Sequence, residues 1–592
     1  MQPSVWSSVF YLVSFLACWT GLTALKKSEK PLDFLVWLPV SVLLLMCWDA
    51  LFAAVVSFAG VPVNLLTVGV FNLLTAVALW GIVLRTRQRQ HYCWQLWTVI
   101  SFCAVAVLTV LLVLRQFGPS LTIHFCTMDP GVHLRNAMDV VNTQQVEGMF
   151  FSALHNALFI ETFSPLVSSI WYYKLFLISD ALMFALSGWI FTALIASRCK
   201  TRWMRIAGFV ILLLFLLGYP LNNMEYGFVY WGAGGTLTCL ILFLTDRWAA
   251  GGWNSRLTLG MISVGCFGLF VCYILFAPIV WAAVFVMLAI RMASEKMLLT
   301  RRGIGALAGV FFPPGVLALL WYFLRWESSS GPMQILSLEG FIFQDLFASF
   351  VPFLPIALYG LYVLLRRKKY RTSVPLFFVL TAFIAVFFAL AMLGRVSAYY
   401  YYKPYYLLWI VVFDLLVCGV AAATERSKGL LCSYSLVWAA VGVLALSGAD
   451  RAIHEQKPYL NPEPSAGAFF RLYQFNIDNP SWAPMDPGAL ELFQYVRTNY
   501  AGETVPLVGT QEQYGWYEGI SDQRLSKFRF WNYELSEVVE RIQQCEYAVV
   551  IKNNQNDLYQ YAPAYWESLE RVYENSSGYL VRIQPKGEET SS

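Results

Sequence analysis

Asp129, His133, Arg135, Glu147, His155, Asn156 and Glu161 crowd into one segment of a chain that is otherwise mostly apolar. A carboxylate can take a proton from a hydroxyl, and imidazoles and a guanidinium can hold hydroxyl groups or an anion. Asp129 directly precedes Pro130, a pairing suited to the N-cap and first turn of a helix. A short helix is therefore expected from Pro130 towards Asn142, carrying His133 and Arg135. As an N-cap, Asp129 would only start that helix; as a general base, it would do chemistry. The residues alone leave both readings open.

These groups lie in a polar loop, residues 116–169, and what surrounds it is a membrane protein. The 592 residues are 58% apolar and 13% charged, with a mean hydropathy of +0.57. That composition excludes an ordinary soluble domain. Apolar runs of roughly 17–25 residues recur between short charged loops, as in a polytopic helical bundle. Fourteen such runs are expected, from Val5–Leu25 to Leu430–Leu446. Trp203–Leu217 and Pro278–Ile290 are short for full crossings and could end against a protein-lined cavity. Val5–Leu25 has no basic stretch before it and no small-residue cleavage site, so it reads as a retained helix.

Charge sets the orientation. One alternate set of loops holds 23 Lys and Arg and the other, up to residue 449, only six. The positive-inside rule puts the rich set in the cytoplasm. The N-terminus, the polar loop and the C-terminal portion then face outwards, in a multi-pass protein of the plasma (cytoplasmic) membrane.

Two domains are expected. Residues 1–448 form the transmembrane part, including the acidic loop 116–169, and residues 449–592 a soluble extracytoplasmic portion. The first carries 29 basic and 16 acidic residues, the second 12 and 20. The overall charge of +5 therefore gives no argument for nucleic acid. In the second portion, Leu490–Asn499 and Leu535–Gln544 have helical periodicity. Thr504–Val508, Tyr547–Ile551 and the pair Arg571–Tyr573 and Tyr579–Ile583 read as strands. The fold class is an all-α polytopic bundle with a small C-terminal α/β domain. Two aromatic stretches, Gln511–Glu518 and Arg529–Asn532, read as loops that could grip a sugar or pack on the membrane part.

Further candidates lie outside the loop. Glu225 sits in Gly218–Phe228, on the outer side. Arg395 and Lys403 flank a tyrosine-rich segment where basic residues are scarce. The tyrosines suit an interfacial belt, and the two cations could receive a lipid phosphate. Asp49, Asp180 and Asp414 interrupt apolar runs and should face the bundle interior or a wet cavity. The twelve cysteines are scattered, without paired spacing. His124, His133 and His155 leave room for a divalent metal ion without announcing one. Phosphate-binding, dinucleotide, zincin and serine-hydrolase signatures are all missing.

The layout, and the stretch Asp129-Pro-Gly-Val-His-Leu-Arg-Asn-Ala137, resemble the GT-C superfamily of integral membrane glycosyltransferases. The Gly218–Phe228 segment and the Arg395–Tyr406 loop look like bacterial members that build surface polysaccharides. In that family the acidic loop usually follows the first span; here it follows the fourth. The resemblance implies sugar transfer on the outer face from a polyprenyl-phosphate-linked donor to a glycan or lipid-linked acceptor at the cell surface. Asp129 would then be the base. His133, Arg135, His155 and Glu225 would bind substrate, and Arg395 and Lys403 would hold the donor phosphate. A lipid-linked oligosaccharide flippase or secondary transporter is the alternative that fourteen spans and buried acids also suit.

Overall fold

The structure is a computed structural model. It describes residues 4–425 apart from 252, 326–350 and 368–370, then 427, 430, 434–435, 438, 476–478, 483–552 and 556–583.

Four long helices come first: α1 (Val5–Ala24), α2 (Phe34–Phe58), α3 (Leu65–Thr86) and α4 (Leu96–Phe117). Strand β1 (Leu32–Asp33) precedes α2, β2 (Tyr92–Cys93) precedes α4, and the two pair in parallel. The polar segment supplies α5 (Asp129–Thr143) and α6 (Phe151–Phe163). Next are α7 (Tyr172–Ala196), α8 (Arg202–Leu217), α9 (Tyr219–Tyr226), α10 (Val229–Ala250), α11 (Ser255–Cys272) and α12 (Phe276–Ser294). The membrane part closes with α13 (Arg301–Arg325), α14 (Leu354–Arg366), α15 (Ser373–Met392), α16 (Tyr399–Tyr402) and α17 (Tyr405–Thr424).

Twelve spans among the described residues are long and apolar enough to cross a membrane. The chain is thus a polytopic helical membrane bundle. Of the fourteen expected runs, Leu346–Leu365 appears as the shorter apolar helix α14, its first residues lying outside the described set. Leu430–Leu446 falls largely outside the described residues. The shortness expected of Trp203–Leu217 is corrected: Gly218 joins α8 to α9, and together Arg202–Tyr226 covers 25 residues. Pro278 lies in the first turn of α12, where its missing N–H has no intrahelical partner to lose. The residues between 257 and 290 accordingly form two helices.

The polar loop does not stay in water along its whole length. Its later half, α6, is buried among the spans, and Phe151, Leu154, Asn156, Ile160 and Glu161 are each at most 6% exposed. The polar residues of this stretch punctuate an apolar helix rather than face water.

Asp414 is partnered structurally. Arg198, at the end of α7, donates to Asp246 of α10 at 2.9 Å and to Asp414 of α17 at 2.7 Å. Thr372 gives Asp246 both its N–H and its hydroxyl at 2.8 Å. Ser373 donates to Asp414 at 2.6 Å. Arg198 ties α7 to α10 and α17, and Thr372 and Ser373 add the start of α15. Arg371, 3.7 Å from Asp246, is a second cation beside the two carboxylates, which keeps the cost of burying these ions down.

The C-terminal part contains α18 (Pro487–Asn499), α19 (Gln511–Ser521), α20 (Leu535–Ile542), α21 (Asp557–Tyr561) and α22 (Pro563–Ser568). Its strands are β3 (Leu507–Val508), β4 (Tyr547–Ile551), β5 (Glu570–Glu574) and β6 (Gly578–Arg582), in the order β3-β4-β6-β5. β3 and β4 run parallel, and the other pairs antiparallel. The expected terminal hairpin is β5–β6. Gln511–Glu518 is not a loop: it forms most of α19, started by a Thr510–Gln513 capping box. Its aromatic residues enter a core shared with the membrane side: Phe125, Leu134, Ala137, Phe176, Trp516 and Tyr517 belong to one apolar cluster.

Candidate functional site

The site is built around the start of α5. Met128 occupies the N-cap, and no side chain caps from that position. The expected N-cap role of Asp129 is therefore corrected: Asp129 is the first helical residue. Its own N–H donates to Thr127 Oγ1 at 3.3 Å, and Thr127 in turn donates to the Tyr226 carbonyl at 2.6 Å. With Thr127 taking the orphan N–H, the Asp129 carboxylate carries no capping duty.

The end of α9 clamps this turn from the other side. Cys126 N–H donates to the Glu225 carbonyl at 2.9 Å. Gly227 closes α9 at φ +69°, and a Cβ there would stand 2.1 Å from Pro130 Cγ. Only glycine meets both demands. Glu225 itself is 1% exposed, so its place is inside the support of α5 rather than in a solvated loop.

Helical spacing then gives α5 two faces. Gly131 and Leu134 turn towards α19. A Cβ on Gly131 would lie 2.6 Å from Trp516 N, one on Gly515 2.8 Å from Val132 N, and one on Gly519 2.8 Å from Leu134 Cγ. The two backbones thus touch over two turns. Arg135 seals the contact by donating to Glu518 Oε2 at 2.9 Å, where Arg529 also pairs at 3.1 Å and Leu525 N–H reaches Oε1 at 2.9 Å. Arg135 thus braces α5 against the C-terminal part, while Arg529 holds Glu518 from within that part.

The opposite face of α5 lines a cavity of about 750 Å³ with Asp129, His133, Asn136 and Val140. Gln145, residues 147–150, Ser152, Ala153 and Tyr230 add to the wall, and Arg524 enters from the C-terminal part, paired with Asp139. Burial lifts the Asp129 carboxyl above the usual carboxylate range, and the Lys403 ammonium works against that rise. His133 packs edge-on against Tyr230, with ring centroids 4.9 Å apart. Burial, reinforced by Arg135, pulls its pKa down to about 4. It is a neutral imidazole, and its Nε2 has no partner among the described residues.

Lys403 completes the group. Its Nζ sits 4.2 Å from the Tyr399 ring, 5.1 Å from Tyr400 and 5.9 Å from Tyr273. Tyr273 packs on Tyr230 at 5.4 Å, which returns the chain of rings to His133. The tyrosines expected as an interfacial belt therefore in part turn inwards, caging an ammonium beside the acid. Nothing in the sequence links Tyr230, in the first turn of α10, to Tyr273, just past the end of α11.

Arg395 is exposed after α15 and is not among the residues lining the cavity. His155 lies deeper, in an apolar groove rather than the cavity, and burial draws its pKa down to about 3. His124 Nδ1 is 3.1 Å from the Gln116 carbonyl. The three histidines of the segment thus occupy different surroundings. Among the described residues no group of three His, Cys, Asp or Glu side chains is placed to hold a metal ion.

No family model and no curated protein sequence matches the chain. Among solved structures it is similar to ArnT from Cupriavidus metallidurans in the apo state, at 13% identity and a TM-score of 0.48, over 82% of this chain and 98% of that one. It is also similar to ArnT from the same organism bound to undecaprenyl phosphate, at 11% identity and a TM-score of 0.45, over 83% and 98%.

Proposed function

We propose that the chain is a membrane glycosyltransferase that moves a sugar from a polyprenyl-phosphate-linked donor to a cell-surface acceptor on the outer face. One observation carries this reading. A half-buried carboxylate without a structural task, Asp129, opens on a large polar cavity and faces a lysine caged by tyrosines.

The chemistry is a displacement at the anomeric carbon. An acceptor hydroxyl in the cavity forms the new C–O bond, and Asp129 takes its proton. The bond from the sugar to the lipid phosphate breaks, and the electron pair leaves with the phosphate oxygen. Lys403 offsets the charge that gathers there, inside an aromatic cage that keeps water away and the field strong. His133, neutral and with a free Nε2, is suited to a sugar hydroxyl. Arg395 stands further out, where it would meet an approaching phosphate rather than a bound one. The outward orientation rests on the asymmetry of basic residues between alternate loops.

Asp129→Asn is the test. The carboxamide keeps size and polarity, and Thr127 still serves the helix start. Loss of a positioned base is worth about 10²–10⁴-fold, so transfer should fall by at least about 100-fold in a protein that inserts and purifies normally. Near-normal turnover would remove the transferase reading. Lipid extracts from a strain lacking the chain separate it from a flippase: donor lipid should accumulate facing outwards, whereas inward-facing precursor would indicate a flippase.

A further inference from the structure

The polar cavity beside Asp129 is adjoined by an apolar groove. This groove, of about 320 Å³, runs between α1, α6 and α7, and Ser152 and Asn156 line both spaces. Its walls are hydrocarbon and aromatic, including Phe15, Phe159, Phe163 and Met183. At its rim Leu12 is 39% exposed and Leu182 43%, on two membrane-spanning helices, so the groove opens sideways towards lipid.

Its inner end is not hydrocarbon. Asn156 is 4% exposed; its Oδ1 accepts from Ser179 Oγ at 2.6 Å, while its Nδ2 has no partner among the described residues. His155 Nε2 and Asp180 Oδ2, which line the same groove, also have none. Unpaired buried polar atoms are costly where no water reaches them. An ordinary acyl chain would fill the groove and leave them unpaired. A chain that ends in an oxygen-bearing linkage would pair with Asn156 at the point where the walls change from apolar to polar.

We propose that the acceptor is lipid-anchored: a saccharide head in the polar cavity, an ester, amide or glycosidic oxygen at Asn156, and an alkyl chain in the groove between α1, α6 and α7. This rests on the transferase reading, which assigns the Lys403 side of Asp129 to the donor. Lys403 lines neither the cavity nor the groove, so the two lipids approach Asp129 from different flanks.

The test uses the purified full chain in vesicles of phosphatidylethanolamine and phosphatidylglycerol. The probe is dodecyl glucoside carrying a diazirine at the chain end. Crosslinks should concentrate on α1, α6 and α7. Met183→Trp, which fills the groove, should cut labelling by about tenfold. Asn156→Leu, close in volume, should lower it without filling the groove, so the proposal stays testable if Met183→Trp fails to fold. An equimolar amount of undecaprenyl phosphate should leave labelling unchanged. Labelling spread evenly over the lipid-facing helices, or indifferent to both substitutions, would overturn the proposal. Displacement by undecaprenyl phosphate would overturn it too, by giving the groove to the donor. Crosslinking needs no turnover. Loss of the transferase reading with selective labelling intact would therefore be distinguishable from loss of the amphiphile site.

Discussion

Asp129 has to be ionised to accept a proton, and its surroundings decide when that happens. Burial raises its pKa and Lys403 lowers it, so kcat/KM should fall on the acid side at a higher pH than for an exposed carboxylate. In Lys403→Gln the opposing cation is gone, and the limb should move to higher pH; a pH–rate profile that does not move would separate the two residues. The same substitution should weaken donor-lipid binding in the purified protein more than Arg395→Gln does, because Lys403 is caged beside the acid and Arg395 is exposed. Equal losses from the two would remove that distinction.

At the scale of the element, the contact between α5 and α19 decides whether the acid is held in place. Gly515→Ala would bring a Cβ to 2.8 Å from Val132 N and 3.0 Å from the Gly131 carbonyl carbon. Both are backbone atoms that cannot swing aside. Overpacking of this kind costs about 1–3 kcal/mol. Protease should then cut the C-terminal part sooner, and transfer should fall while the helical content of the membrane part is unchanged. A protease pattern like that of the parent chain would show that the interface tolerates the methyl. The contact was not legible in the sequence: Gln511–Glu518 read as a loop, and Gly515 and Gly519 take the one-turn spacing of closely packed helices only because α19 is a helix. What no sequence reading reaches is the partner, since Gly131 lies hundreds of positions away. Asp129, His133 and the terminal hairpin were legible because each depends on neighbours in the chain. The tyrosine cage, the Arg135–Glu518 brace and the burial of α6 depend on packing between distant elements.

For the whole molecule, the alternation of basic loops predicts the sidedness. Cysteines placed at the exposed positions Thr143 and Gln560 should react with an impermeant reagent from outside intact cells, and those at Lys200 and Lys296 should not. Labelling at Lys296 from outside would invert the orientation and with it the face on which transfer is proposed. A residue near Lys369 would report on the same side but lies outside the described residues.

The clasp between α5 and α19 also bears on how the molecule is born. Gly131 leaves the ribosome about 390 residues ahead of Gly519, which at typical synthesis rates is a delay of roughly 20–80 s. Through that interval the acid-bearing helix has its own membrane neighbours but neither Glu518 for Arg135 nor Arg524 for the cavity wall. A nascent chain already threaded into the bilayer would therefore lack a finished cavity until its last segment has folded back against α5. Truncation anywhere before residue 519 should give an inserted protein whose cavity wall lacks Arg524 and whose Arg135 lacks Glu518.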